Sequence, residues 1–409
     1  MGTVVVVALV MGAAACSSSK NSTSAPTTTQ NPGAVLGAKK PASGAPLKIG
    51  FMYAGQTQTL DGAPELAMAQ ATVKYVNEYL GGVAGRPIQL VVCADQVTPS
   101  NATECADQML AAKVPIVLQS QPGQPASVVK VLQPAKVPYF TWAGADTSLL
   151  ESPVASLIGN PLIILAAPMK LAQDAGVKKV AMVYVDVPAA TQLKTIGQNL
   201  YKKNGLDLVA SAVPLGTPDV TPQVQAAISA GAKEFLVIGD NSLCVNTLKA
   251  LKTLAFNGKV VINTNCLQGS GAKAISGGYD GAVLATIQSP DSNESDVKLY
   301  HAVAATYTPS TATEGNTASA GFAIVLGFAR AMTKLTSSEA TPAGMTAALV
   351  AMSPEPMPLL ADQTFQCNRK AAPITPGVCS NGGALVTLKS NGDVKSSESF
   401  NAGPYLNAG

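Results

Sequence analysis

From Leu47 onward, short apolar runs of strand length alternate with segments of helix length, and few folds accommodate that order. LKIGFMY opens the series, a stretch from Pro64 to Leu80 carries Leu66, Val73, Val76 and Leu80 at helix-face spacing, and IQLVVC completes a β-α-β unit. The order continues through VPIVL at 114–118, a helix bearing Val128 and Leu132, and VPYFT at 137–141. A second series places strands at 179–185, 206–212, 234–238 and 260–263. This alternation predicts an α/β fold of two parallel-sheet units in series, each with helices on its faces. The end of the chain departs from it, because 384–388 followed by the turn Asn391-Gly392-Asp393 predicts a hairpin.

Composition narrows the chemistry. Hydrophobic residues make up 47% of the 409 and charged residues only 12%, so large cores are available. The 27 Lys and Arg nearly balance 24 Asp and Glu, and Arg occurs only at Arg86, Arg330 and Arg369, which leaves no basic stripe for nucleic acid. The single histidine, His301, excludes a metal site that needs two imidazoles, and its helical setting SDVKLYHAV predicts a surface or half-buried position. Gly269-Ser270-Gly271 lacks the third glycine of a dinucleotide fingerprint, and neither a phosphate loop nor a nucleophile elbow occurs. No cofactor, no metal and no enzymatic activity are expected.

The apolar run from Thr3 to Ala15 is too short for a membrane helix and has the length of a signal-peptide core. It ends in Ala13-Ala14-Ala15-Cys16, which resembles a bacterial lipobox; the resemblance implies cleavage before Cys16 and acylation of its thiol. An ordinary signal peptide with a chance cysteine is the other reading. Residues 17–46 hold few large apolar side chains, so they are expected to form a flexible tether reaching roughly 30 Å from a membrane. Six cysteines remain after Cys16, and in an oxidising compartment an even number suggests disulfides. Proximity along the chain favours Cys93 with Cys105, Cys244 with Cys266, and Cys367 with Cys379, one of many connectivities open to six thiols.

Ligands of open parallel sheets bind beyond the carboxyl ends of the strands. There the sequence from Lys48 to Asp95, with its polar loop, long helix and Gly81-Gly82-Val83-Ala84-Gly85-Arg86 turn, resembles the opening of type I periplasmic binding proteins of the branched-chain amino-acid class. Gln124-Pro125-Ala126-Ser127 and the stretch Val137 to Ala145 resemble that family's third and fourth strand ends. The resemblance implies two lobes joined by three hinge crossings and closing on a small molecule. The expected organisation is a signal peptide at 1–15, a lipidated tether at 16–46, a first lobe at 47–160 with 288–360, and a second at 161–287 with 361–409.

By the resemblance, Ser120 and the small-residue loop Ala143, Gly144 and Ala145 hold a ligand carboxylate, with Gln119 and Gln121 beside them. A loop of small residues independently lets backbone N–H groups approach an anion. Read as structure alone, Ser120 is a turn residue and Gly144 a backbone necessity. Trp142, the only tryptophan, is either a packing residue or a cleft wall. In the second lobe, Asn160-Pro161-Leu162, Ala190 and Asn265 stand where amino-acid binders carry carboxylates or an aromatic. Asp186, Asp240 and Asn241 follow strands and either replace those carboxylates or cap helices. A buried ammonium without a carboxylate is costly, which argues against an ordinary α-amino acid and for a neutral or carboxylate-bearing apolar ligand. The resemblance thus implies a monomeric, lipid-anchored component of an ABC importer, on the outer face of a bacterial cytoplasmic membrane and recognised by a permease. A ligand sensor of the same architecture, reporting to a membrane partner, is the alternative.

Overall fold

The computed structural model describes Met1 and residues 32–57, 61–144, 146–267, 271–308, 316–373 and 375–407. The expected signal peptide and lipobox, with Cys16, lie outside the described residues, as does Ala145. The first sheet holds β1 (Leu47–Tyr53), β2 (Ile88–Ala94), β3 (Val117–Gln119), β4 (Tyr139–Thr141) and β5 (Ala155–Leu157), all parallel, in the order β2-β1-β3-β4-β5. Both faces of a parallel sheet are covered by helices, and this is why its strands read as nearly unbroken apolar runs. Ile49, Phe51, Leu118 and Phe140 face a core with Met68, Val76, Phe322 and Phe328. Met52, Val117 and Tyr139 face the opposite way, onto Cys105, Met109, Val128 and Leu132.

The second sheet repeats the plan. Its strands β6 (Lys179–Val185), β7 (Asp207–Val213), β8 (Glu234–Ile238), β9 (Lys259–Ile262) and β10 (Val283–Thr286) take the order β7-β6-β8-β9-β10. A two-stranded ribbon, β11 (Glu355–Met357) with β12 (Leu360–Phe365), precedes the expected hairpin, β13 (Gly382–Leu388) and β14 (Val394–Asn401). That hairpin adds to β10 in antiparallel register, so the second sheet has seven strands and is mixed, where the alternation alone predicts a parallel one. The result is the two-lobed type I binding-protein fold.

Glycines at two places permit the turns and close approaches on which the first lobe depends. The helix Ala63–Tyr79 ends at Gly81 and Gly82, both at positive φ, and Gly82 N–H returns to Val76 O at 2.9 Å, closing the helix end. A Cβ on Gly321, in the helix Asn316–Ala331, would stand 2.2 Å from the Glu65 carbonyl, so that helix can lie against Ala63–Tyr79 only with glycine there.

Two boundaries differ from expectation. Residues 32–46, polar enough to read as tether, are fastened to the first lobe: Leu36 is buried, Lys40 N–H and Ala42 N–H donate to Glu78 O and Asn77 O, and Arg86 Nε donates to Ala45 O at 2.9 Å. Composition misses this because the fastening uses mainly backbone groups, with Leu36 and Val35 as its large apolar contacts and a Lys39–Glu78 ion pair beside them. Residues 366–379, expected in the second lobe, cover the edge strand β5 of the first: Leu157 N–H donates to Gly377 O and Cys379 N–H to Leu157 O, both at 2.8 Å, and Arg369 donates to Ser152 O at 2.7 Å. Pairing an exposed edge removes a site for unwanted strand addition. The third crossing therefore falls at 380–382. All three crossings adjoin, since Gly159 lies against Ile287 and Asn160 Nδ2 donates to Asn381 Oδ1 at 2.8 Å.

The three disulfides are Cys93–Cys105, Cys244–Cys266 and Cys367–Cys379, the local pairing. His301 is exposed on the helix Ser295–Tyr307.

Candidate functional site

The strand order places the switch point of each sheet between its first and third strands, and the carboxyl ends there open onto a crevice between the lobes. Gln121, Trp142 and Ala143 enter it from the ends of β3 and β4, Ile238 from β8, Asn263 and Thr264 from just after β9, and Thr286 to Gln288 from β10 into the second crossing. Asn160, Pro161, Ile163, Ile164, Leu193 and Ala285 complete a cleft of about 220 Å³. No ionisable side chain lines it among the described residues.

Its hydrogen-bonding groups divide into two sets. Asn160 is fully buried and committed to the hinge: beyond its bond to Asn381, its Oδ1 accepts from Leu162 N–H at 2.9 Å. Asn263 Nδ2 donates to Gly239 O at 3.2 Å, and Thr286 Oγ1 accepts from Gln288 N–H at 3.1 Å. The Gln121 amide, the Thr264 hydroxyl and the Gln288 Nε2 donors have no partner among the described residues, so they remain for a ligand. Trp142 is both things the sequence left open, since it is 1% exposed within the first lobe's core and its remaining surface borders the cleft.

The expected anion-holding group is arranged differently. The N–H groups of Trp142 and Ala143 both donate to Ser120 O at 3.1 Å, so neither is offered to a ligand. The Ser120 hydroxyl donates to Glu65 Oε1 at 2.5 Å behind the cleft wall. Glu65 stands in the first turn of the helix Ala63–Tyr79, where the helix dipole favours its charge, yet burial pushes its pKa up to about 7. The Ser120 bond opposes that rise and the nearby Asp95 carboxylate adds to it. Gln119 belongs to the same network: its amide donates to Asp95 Oδ2 at 2.8 Å and its carbonyl accepts from the Tyr139 hydroxyl. Gly144 borders Leu149, whose side chain leaves no room for a Cβ.

The second-lobe candidates do not gather. Asp186 and Asn265 are exposed, and neither lines the cleft. Asp240 caps the helix Asn241–Thr253 by accepting from Leu243 N–H at 3.0 Å, and Asn241 Nδ2 donates to Cys266 O at 2.8 Å. The cleft is reached one or two residues earlier in each loop, at Ile238, Asn263 and Thr264. Those positions end or directly follow the strands, and that adjacency is the signal by which sequence could have found them. Glu65 gave no such signal, because its burial depends on a helix from the far side of the chain.

Two α/β lobes of one strand order around an uncharged crevice define a two-lobed small-molecule binder. The profile of the periplasmic binding protein family matches residues 46–381, and the chain belongs to that family. It is a binding protein and not an enzyme. No curated relative matches it in sequence. Among solved structures, a putative branched-chain amino acid ABC transporter protein from Rhodospirillum rubrum superposes with a TM-score of 0.71 at 15% identity, over 86% of this chain and 100% of that one. A solute-binding protein from R. palustris in complex with 4-hydroxybenzoate gives 0.67 at 18%, over 87% and 97%. The branched-chain amino acid binding protein LivJ from Streptococcus pneumoniae, in complex with isoleucine, gives 0.64 at 14%, over 87% and 100%. At such identities these likenesses establish the fold.

Proposed function

We propose that this protein is the extracytoplasmic, lipid-anchored solute-binding component of an ABC importer, and that its ligand is a neutral or carboxylate-bearing, mainly apolar molecule held between the lobes. The absence of ionisable side chains among the described residues of the cleft carries the ligand reading. An α-amino acid would bury its ammonium there without a carboxylate partner, at a cost of several kcal/mol. Structural relatives hold isoleucine and 4-hydroxybenzoate, and the apolar walls with a few amide and hydroxyl donors suit the second kind of molecule better than the first. Gln121 and Gln288 would orient the polar end, Thr264 would meet it from the second lobe, and Trp142 would lie along the apolar body. Ser120 and Gly144 act from behind as support for the loop that carries Trp142 and Ala143. Acylated Cys16 would hold the protein at the membrane, and closure of the lobes would present the loaded form to a permease.

The test is a titration of the chain from Pro32 onward, following fluorescence of its one tryptophan. Benzoate, 4-hydroxybenzoate, benzamide, leucine and isoleucine serve as probes. A saturable change with the aromatic acids or the amide, and none with the amino acids, is the expected result. Saturable binding of leucine or isoleucine in preference to them would overturn the ligand reading.

A further inference from the structure

A second cavity, of about 480 Å³, opens at the other end of the second sheet. It runs under the amino ends of the strands, where Lys233 precedes and Glu234 begins β8, Lys259 begins β9 and Ala282 precedes β10. Its floor is apolar: Val177, Leu248, Leu251, Phe256 and Val260. Its rim carries Lys233, Lys252 and Lys259, all exposed and none in an ion pair among the described residues. Three separate elements deliver these lysines to one opening. The Lys252 ammonium is placed against the turn at Gly277, where an added Cβ would stand 2.8 Å from its nitrogen.

The acids nearby do not neutralise this rim. Asp280 faces Lys395 at 3.7 Å. Glu234 is 1% exposed and neither of its carboxyl oxygens has a hydrogen-bond partner. Burial pushes its pKa up to about 8 against the pull of Lys259, so at neutral pH it is mainly the uncharged acid. An apolar hollow edged by uncompensated cations is complementary to an amphiphilic anion.

We propose that this cavity is a second ligand site, separate from the interlobe cleft, for an organic anion whose apolar body fills the hollow and whose carboxylate meets Lys233, Lys252 and Lys259. The cleft and the cavity lie at opposite ends of the same strands, so both can be occupied at once.

Octanoate is the probe, with octanamide as its uncharged counterpart, both titrated calorimetrically against the chain from Pro32 onward. Octanoate should bind saturably, and the doubly substituted Lys252→Gln/Lys259→Gln protein should bind it at least about tenfold more weakly, a loss that added salt imitates in the parent. Octanamide should bind the parent as weakly as octanoate binds that variant. A cleft-filling Ala285→Trp substitution should leave octanoate affinity unchanged. No saturable binding at millimolar octanoate, or equal affinity in parent and lysine variant, would overturn the proposal. Loss of octanoate binding in an Ala285→Trp protein that melts with the parent would overturn it as well, and would place the anion in the cleft, in support of the function proposed above.

Discussion

Glu234 is withdrawn from water with both carboxyl oxygens unbonded, and its pKa stands at about 8 in the folded chain against an ordinary 4.5. A carboxyl whose folded pKa is raised holds its proton more tightly when folded, so its contribution to stability falls as pH rises from about 4.5 to about 8. Glu234→Gln removes the titration and keeps the shape. It should melt with the parent at pH 5 and be more stable by a few kcal/mol at pH 8.5, as measured by thermal unfolding at the two pH values. Ser120 is a second case of one side chain governing another. Ser120→Ala leaves the buried Glu65 carboxylate without its hydroxyl donor and should cost about 1 to 3 kcal/mol of stability, read from denaturant unfolding. Glu65 sits in a helix of ordinary amphipathic spacing and Glu234 at the head of an apolar strand run, and the burial of both is set by packing between distant parts of the chain.

Strands with two covered faces were easy to read, and β1, β6 and β8 match their apolar runs residue for residue. Elements held mainly by backbone bonds were not. Residues 32–46 and 366–379 carry the Pro, Gly and Ala that mark linkers, and their few large apolar side chains do not mark a docked segment by periodicity. Leu36 is the exception: it is the buried anchor of its segment. Leu36→Ala should remove about 2 kcal/mol of local stability and speed hydrogen exchange at Lys40 and Ala42, with the amides of β6 and β8 unaffected. The loop at 366–379 has a covalent staple in addition to its edge pairing. Replacing Cys367 and Cys379 together by serine should cost about 3 kcal/mol, measured as a fall in melting temperature that leaves the ligand affinity of the remaining fold unchanged.

The whole molecule is two copies of one strand order hinged at three adjoining crossings. Alternation along the sequence foretold the duplication, whereas the position of the third crossing required knowing which edge residues 366–379 would cover. Gly159 marks the closest approach of the first two crossings, with an added Cβ only 2.6 Å from Ile287 Cδ1. Gly159→Val should wedge them apart and weaken cleft binding about tenfold by raising the cost of the closed form. Small-angle scattering would show the variant keeping its larger radius of gyration at ligand concentrations that compact the parent.

The fastening of residues 32–46 to the first lobe also decides how the molecule bears load. A pull applied at Pro32 enters through the bonds to Asn77, Glu78 and Arg86, all in the first lobe, and can reach the second only by way of the crossings. The second lobe is therefore the freely swinging half. With the anchoring proposed above, drag or tension would be taken up by the first lobe, and the opening and shutting of the crevice would proceed without working against it.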